Sequence, residues 1–353
     1  MSEQSKNVAT IVCPTSLPAG ETVLLGHGSG GRLTSELIRD LFLPAFNSAA
    51  LARLDDQAMV SVNGCRLAFT TDSFVVKPLF FPGGDIGSLA VHGTVNDLAM
   101  GGATPLFLSA AFIIEEGFSM KELRRIVASF GEAARTAGLE VVTGDTKVVE
   151  RGSGDGLFIN TSGIGLVPHG LELSANQARP GDRVLLSGPI GEHGMAIMAQ
   201  REGLEFQTTI RSDSAALHGL VGEMLKVTGG IRCMRDPTRG GLASALNEIA
   251  GQSQVGIELE ESAIPIGEEV RGACEILGLD PLYVANEGKL IAIVAPEAEQ
   301  EVLRAMRGHA LGREAQTIGS LRRDYRGLVT MRTVLGTTRV VDMLAGDQLL
   351  RIC

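Results

Sequence analysis

Six aspartates sit at the ends of apolar segments or inside them. Asp72 lies in 70-TTDSF-74 and Asp145 in 143-TGDTK-147, each where a strand-like run ends. Asp97 lies within the apolar stretch 93-GTVNDLAMGG-102, and Asp236 within 235-RDPTRGG-241. Asp55 and Asp56 precede the strand-like 58-AMVSV-62. A carboxylate in apolar surroundings needs a partner. Several together repel unless cations or hydrogen bonds compensate. Magnesium shared with nucleotide phosphates supplies that compensation, because it takes carboxylate oxygens while keeping waters. Taken singly, each aspartate is more readily a helix cap or a turn residue. The argument for metal rests on the set.

Other candidates surround this set. The loop 26-GHGSGG-31 is glycine-rich but is neither a Walker A loop nor a well-placed dinucleotide fingerprint. The amides of Gly28 and Gly30 could wrap phosphates, and His27 could exchange a proton. Glu287, in 285-ANEGK-289, is a general base if burial tunes it, and a turn residue otherwise. Lys147 could neutralise phosphate. Of the five cysteines, Cys65, Cys233 and Cys274 read as structural, and Cys13 falls in the leader. The count is odd and the spacing sparse, so no disulfide framework or zinc site is indicated. Cys353 is the last residue, where packing is usually weakest. His92, His169, His193, His218 and His309 show no metal-ligand spacing.

The elements that must position these residues follow from periodicity. The segment 32–46 is helical, limited by Pro44. Strands are expected at 58–62 and 66–76, a helix over 85–102 closed by glycines, and a strand at 106–114. The helix at 119–138 has Leu123, Ile126, Val127 and Phe130 on one face. Strands at 140–149 and 156–167 complete a first unit. After a seam near 168–182 the pattern restarts, with strands at 183–188, 255–260, 289–296 and 328–336 and helices at 192–203, 214–229, 267–277 and 297–308. Helices and strands do not alternate as one uninterrupted series, so two α+β domains are expected rather than one doubly wound sheet. The divisions are a flexible leader (1–20), a first domain (21–168), a second (169–336) and a mobile tail (337–353). Fully extended, that tail reaches roughly 55 Å.

The chain of 353 residues is long enough for two cores. A formal charge of -10 argues against general nucleic-acid binding. No apolar run approaches the length of a membrane span, and the N-terminus lacks the pattern of a secretory signal. A cytoplasmic protein is expected.

In combination, GHGSGG, DDQA, TTDSFVV, GGDIGSLAVHGTVNDLAMGGATP, TGDTKVV, RDPTRGG, NEGK and a terminal cysteine resemble one superfamily over nearly the whole chain. This is the aminoimidazole-ribonucleotide-synthetase-like ATP-binding superfamily and, within it, the HypE family of hydrogenase maturation proteins. The resemblance implies a two-domain α+β fold with mixed sheets covered by helices. It implies a homodimer whose first domains pair, with ATP in clefts between domains and subunits. It also implies ATP-dependent dehydration of an S-carbamoyl group on Cys353 to thiocyanate, supplying cyanide for the iron of nickel–iron hydrogenase. Asp56, Asp72, Asp97 and Asp145 become the expected Mg²⁺ and phosphate-side residues, with Asp236 across the cleft and the His27 loop over the phosphates. Glu287 is the first candidate base and His27 the second. The implied partners are a HypF carbamoyltransferase, which loads Cys353, and a HypC–HypD iron scaffold complex, which receives the cyanide. Two alternatives stay open: phosphorylation of a small molecule, as in selenophosphate synthetase or thiamine-monophosphate kinase, and a non-catalytic assembly factor.

Overall fold

The computed structural model describes residues 22–201, 209–227, 229–344 and 351–353. The expected leader, with Cys13, lies outside the described residues, as does the 345–350 part of the expected tail.

The first domain opens with one helical segment in three parts: α1 (Arg32–Leu37), a π-turn (Ile38–Phe42) and α2 (Leu43–Phe46). Next come β1 (Ala58–Val62), β2 (Cys65–Phe74) and a small ribbon, β3 (Phe80–Phe81) with β4 (Gly84–Asp85). Helix α3 (Ile86–Met100) follows, capped by the Asp85 carboxylate, which accepts from the Gly87 and Ser88 amides. Then come β5 (Thr104–Glu115), α4 (Met120–Thr136), β6 (Glu140–Val149) and β7 (Leu157–Leu166). These strands form a mixed sheet in the order β1-β2-β7-β5-β6, with only β5 and β6 parallel. Alternation along β2 turns Ala68, Thr70, Asp72 and Phe74 inward. Helix α3 covers that face, with Leu89, Val95 and Leu98 fully buried. In α4, Ile126 and Phe130 are buried but Val127 is exposed, so the apolar face is narrower than its periodicity suggests.

The second domain contains β8 (Arg183–Leu186), α5 (Glu192–Arg201), α6 (His218–Val227), β9 (Ile231–Arg235), α7 (Gly241–Ser253) and β10 (Gly256–Glu260). It continues through α8 (Glu268–Leu277), β11 (Ile291–Val294), α9 (Glu299–Gly308), β12 (Gln316–Arg322), β13 (Val329–Arg332) and β14 (Thr338–Val340). The sheet order is β14-β13-β10-β12-β8-β11-β9. Both faces are covered. Ile291 and Ile293 meet α7 side chains such as Leu242 and Leu246, while Ala292 and Val294 face Leu220, Met224 and Val302 of α6 and α9.

The division expected at residue 336 is displaced. The second sheet continues into β14, and Val341 and Leu344 are buried. Val341 accepts from Asn247, Asp342 accepts from Tyr283 and pairs with Arg32, and the Leu344 carbonyl accepts from the Arg32 amide. The root of the tail is therefore held between the second domain and α1. The last three residues lie against the first domain, with Ile352 and Cys353 buried. Among the described residues, no helix is long and apolar enough to cross a membrane.

Candidate active site

The two domains meet along a cleft lined by the inner end of β2, the middle of α3 and two loops of the second domain. Asn96, on α3, stitches the seam. Its amide donates to the Ala215 and Glu287 carbonyls, and its oxygen accepts from the Leu217 amide. The same helical stretch presents Asp97, whose carboxylate accepts from the Thr70 hydroxyl at 2.8 Å. Asp72, two residues along β2 from Thr70, accepts from the Ser73 amide.

Opposite them, β9 ends in Arg235 and Asp236. Arg235 is buried and pairs with Asp56 at 3.1 Å and with Glu248 on α7. The neighbouring Asp55 bonds the Ser174 hydroxyl and pairs with Arg53, so it serves the seam. Glu287 is 2% exposed, and its Oε1 has no hydrogen-bond partner. Its position is set from behind. The Glu287 amide donates to Asp213, Asp213 pairs with Lys289, and Lys289 also holds Glu192. Gly288 permits this approach, since a Cβ there would fall 1.8 Å from the Asp213 carbonyl oxygen.

The result is a group of carboxylates whose affinity for protons is raised. Burial raises Asp97 well above the usual carboxylate range, and the charges of Asp236, Asp72 and Asp56 add to the rise. Asp236 and Glu287 are raised in the same way, by burial first and neighbouring carboxylates second. Asp56 is pushed up to about 6 by burial, against the pull of Arg235. Asp72 is raised by burial, moderated by Arg239. Yet among the described residues no three His, Cys, Asp or Glu side chains stand close enough to hold a metal ion by themselves.

Cys353 comes to this cleft. Its thiol is pushed up to about 12 by burial, with Arg239 opposing the rise and Glu287, Asp72 and Asp236 adding to it. Arg239 was legible only as part of TRGG, yet it links the parts of the site. Its guanidinium donates to the Gly28 carbonyl at 3.0 Å, tying the glycine-rich loop to the cleft mouth. Gly30 has φ +75, and a Cβ there would lie 2.8 Å from Arg239 Cβ. The loop thus packs on Arg239 as its glycines permit. His27 sits in this loop with Nδ1 accepting from the Leu24 amide, capping its own turn.

The fold therefore gathers Asp56, Asp72, Asp97, Asp236, Glu287 and Cys353, with Gly28 and Gly30 at the mouth. It does not gather Asp145 and Lys147. Both are exposed on β6, paired with each other at 2.9 Å, and Lys147 lowers the Asp145 carboxyl. Within the single chain these two stand apart from the other carboxylates. They lie on the free edge of the sheet, one strand beyond the helix-covered centre. Cys65, read as structural, is exposed at the β1–β2 hairpin. His193 carried no signal in sequence, yet it is fully buried and meets the tail: its Nε2–H donates to the Ile352 carbonyl at 2.9 Å.

Beside Arg235 an open cavity of about 830 Å³ runs between the α1–α2 segment and α7, lined by Ile38, Phe42, Phe46, Leu51, Gln57 and Glu248 among others. Its size and mixed lining suit a nucleotide-sized ligand.

Comparison with known proteins agrees with this architecture. Residues 54–167 match the N-terminal domain of AIR synthase related proteins, and residues 179–331 match the C-terminal domain. Carbamoyl dehydratase HypE of Cupriavidus necator is 58% identical over 341 residues, covering 96% of this chain and 97% of the relative. A chain in the crystal structure of a HypE–HypF complex superposes with a TM-score of 0.83 at 50% identity, covering 87% of this chain and 99% of that one. HypE crystallised in complex with ATP gives a TM-score of 0.80 at 51% identity, covering 94% and 100%. Two matched domains and identity above half along nearly the full length lead to one assignment: the chain belongs to the HypE family of carbamoyl dehydratases.

Proposed function

We propose that this chain uses ATP to dehydrate a carbamoyl group carried on Cys353, leaving a thiocyanate whose cyanide is destined for the iron of nickel–iron hydrogenase. The observation that carries the reading is the seating of the chain's own terminal cysteine among Asp72, Asp236, Arg239 and Glu287. In that seat the free thiol is held neutral and is a poor nucleophile. A neutral S-carbamoyl group suits the same place. Loading then belongs elsewhere, on a HypF-type carbamoyltransferase, as the HypE–HypF complex of the relative supports. A HypC–HypD-type iron scaffold is the proposed acceptor, and the cytoplasm, where thiols stay reduced, the proposed location.

In the reaction, the carbamoyl oxygen takes the terminal phosphoryl group of ATP and ADP leaves. Loss of phosphate and of both N–H protons then gives S–C≡N. Glu287 is the proposed base, because its Oε1 is buried and unpartnered, its charge acts on Cys353, and its raised affinity for protons suits it, once ionised, to receive one. His27 stands second, since one ring nitrogen already caps its loop. The loop amides of Gly28 and Gly30 would cover the phosphates, and Arg239 would offset charge developing beside the sulfur.

The donor set fits Mg²⁺. Carboxylates that raise one another's proton affinity, without closing a cage of their own, match an ion that takes one or two carboxylates and completes its shell with phosphate and water. Asp56, Asp72 and Asp97 are the candidates, one or two of which would hold the ion while the rest stay on the phosphate side. Magnesium, when bound, neutralises charge on the transferring phosphoryl group.

Asp145 and Lys147 enter through a homodimer. The uncovered face of the first sheet carries an apolar row across three strands: Phe69 opposite Ile164, and Ile164 opposite Phe107, all exposed. Such a face supports pairing with a second copy, which would bring the β6 residues toward a neighbouring cleft.

Intact mass measurement tests the reaction. The protein incubated with the carbamoyltransferase, carbamoyl phosphate and Mg-ATP should gain about 43 Da and then lose about 18 Da, both on Cys353 and both absent in Cys353→Ala. An adduct that never loses water would overturn the dehydratase reading.

A further inference from the structure

The last three residues do not merely lie in the cleft; they are held by a built seat. The Val75 amide donates to the Cys353 carbonyl at 3.0 Å, and the Lys77 amide to the Arg351 carbonyl at 3.2 Å. The tail thus adds a strand-like segment to the backbone just past β2, the mode by which extended peptides are commonly recognised. Ile352 is 2% exposed, in a cluster with Phe74, Val76, Phe81 and Ile197. Its carbonyl accepts from His193, whose Nδ1 in turn accepts from the Ser212 hydroxyl at 2.7 Å, so the ring tautomer is set by the two contacts. Arg201 donates to the Arg351 carbonyl at 2.9 Å and also to the Lys77 carbonyl.

The side chain of Arg351 is the most specifically held part. Its Nε donates to the Val75 carbonyl at 3.0 Å, Nη1 pairs with Asp155 in the loop before β7, and the guanidinium lies 6.0 Å from the centroid of the Phe158 ring. The Arg351 backbone has φ 54, the left-handed region that non-glycine residues rarely occupy. A conformation of that kind persists only where its surroundings over-determine it. Asp155 has a second cation: Lys77 Nζ lies 3.0 Å from its other oxygen. The carboxylate therefore stays paired whether or not Arg351 is present, so release of the tail strands no charge.

From this geometry we propose that Asp155 is a positioning residue that selects arginine two places before the terminal cysteine and latches it, so that the Cys353 sulfur is delivered in register with Glu287 and Arg239. The inference rests on the dehydration reading above and adds its sequence specificity. The latch is releasable because Lys77 takes over Asp155. The Arg351 side chain thus tightens a register that the Val75, Lys77 and His193 hydrogen bonds and the burial of Ile352 begin to set.

Site-resolved alkylation of the full-length protein with iodoacetamide, with no nucleotide or partner present, tests the latch. The exposed Cys65 serves as the internal reference. Asp155→Ala and Arg351→Ala should each raise the Cys353 rate relative to Cys65 by at least about tenfold, the double variant should match the faster single variant, and Arg351→Lys should fall between. Singles that multiply in the double variant, or an Asp155→Ala rate equal to wild type, would overturn the latch. Asp155 lies in a solvent-facing loop, and an unchanged circular dichroism spectrum separates local release from unfolding. A second readout uses protein already carbamoylated: Asp155→Ala should slow the 18 Da loss with unchanged ATP affinity. Faster alkylation with undiminished dehydration would keep the latch as a seat but refute its role in delivering the sulfur. Wild-type dehydration with no effect of Asp155→Ala in either assay would refute the latch and leave the dehydratase reading standing.

Discussion

The cleft between the domains and the free edge of the first sheet hold the same residue type in opposite physical states. In the cleft, Asp56, Asp97, Asp236 and Glu287 are deprived of water, and burial together with nearby carboxylates raises their proton affinity. On β6, Asp145 meets solvent, pairs with Lys147 and is held below its ordinary range. The cleft is electrostatically strained and gains by taking up cations. The edge is already compensated and gains nothing of that kind from the chain itself. Burial rather than residue identity makes the difference. A carboxylate becomes a ligand-seeking group when the fold removes water without supplying enough positive charge.

That contrast is broken most strongly at Glu287 and Asp97. Glu287→Gln should slow dehydration by about 10²–10⁴-fold, measured as loss of water from isolated carbamoylated protein. Asp97→Asn should weaken Mg-ATP binding by roughly 10–100-fold in calorimetry while stabilising the ligand-free protein, because it removes a desolvated charge facing Asp236, Asp72 and Asp56. A destabilised Asp97→Asn protein would show that the cleft is not under strain.

Arg235 is the cation that keeps the strain tolerable. Arg235→Met strands Asp56 and Glu248 and should cost about 3–5 kcal/mol in denaturant unfolding.

The pH dependence sharpens the same comparison. A carboxylate whose folded value is raised binds its proton more tightly when folded than when unfolded. Its penalty is absent below about pH 4, grows as pH rises, and for Asp56 is complete above about pH 6. The ligand-free protein should therefore lose thermal stability between pH 4 and 6 through this group, and Mg-ATP should restore it at the upper end. Asp145 has the opposite sign: its small contribution appears as pH rises and is lost on acidification through its depressed value.

The smallest effect belongs to the edge. Asp145→Asn should leave the stability of the chain nearly unchanged in denaturant unfolding. If the dimer brings β6 to a neighbouring cleft, it should still lower dehydration. Phe69→Glu, in the apolar row of the open face, should yield monomers in sedimentation. Asp145→Asn with full activity would confine the site to one chain, and a dimer that survives Phe69→Glu would rule out pairing through this face.

Much of the framework was legible from local pattern. Strands β1 and β6 fall where apolar periodicity and turn residues put them, and α3 and α4 lie within two residues of their expected limits. Strand β12 escaped notice. Its sequence mixes Gln316, Thr317, Gly319 and Ser320, and only Ile318 and Leu321 are buried. Pairing with β10 and β8 makes it a strand, and pairing is a tertiary matter. Helix α7 also escaped, hidden behind the glycines of RDPTRGG, which mark its start rather than a loop.

The sequence by itself determined the chemical inventory: the aspartate set, the glycine loop, NEGK and a cysteine as the last residue, in an order specific enough to indicate a family. Local chemistry settles such things, because residue type and spacing are properties of the chain. Only the tertiary structure decided which of those residues act together. It drew Asp56, Asp72, Asp97, Asp236 and Glu287 out of water and left Asp145 in it. It placed Arg239 beneath the glycine loop and folded Arg351, Ile352 and Cys353 onto Val75 and Lys77. The physical reason is that desolvation and contact depend on what packs against a residue, and those neighbours here come from up to about 280 positions away along the chain.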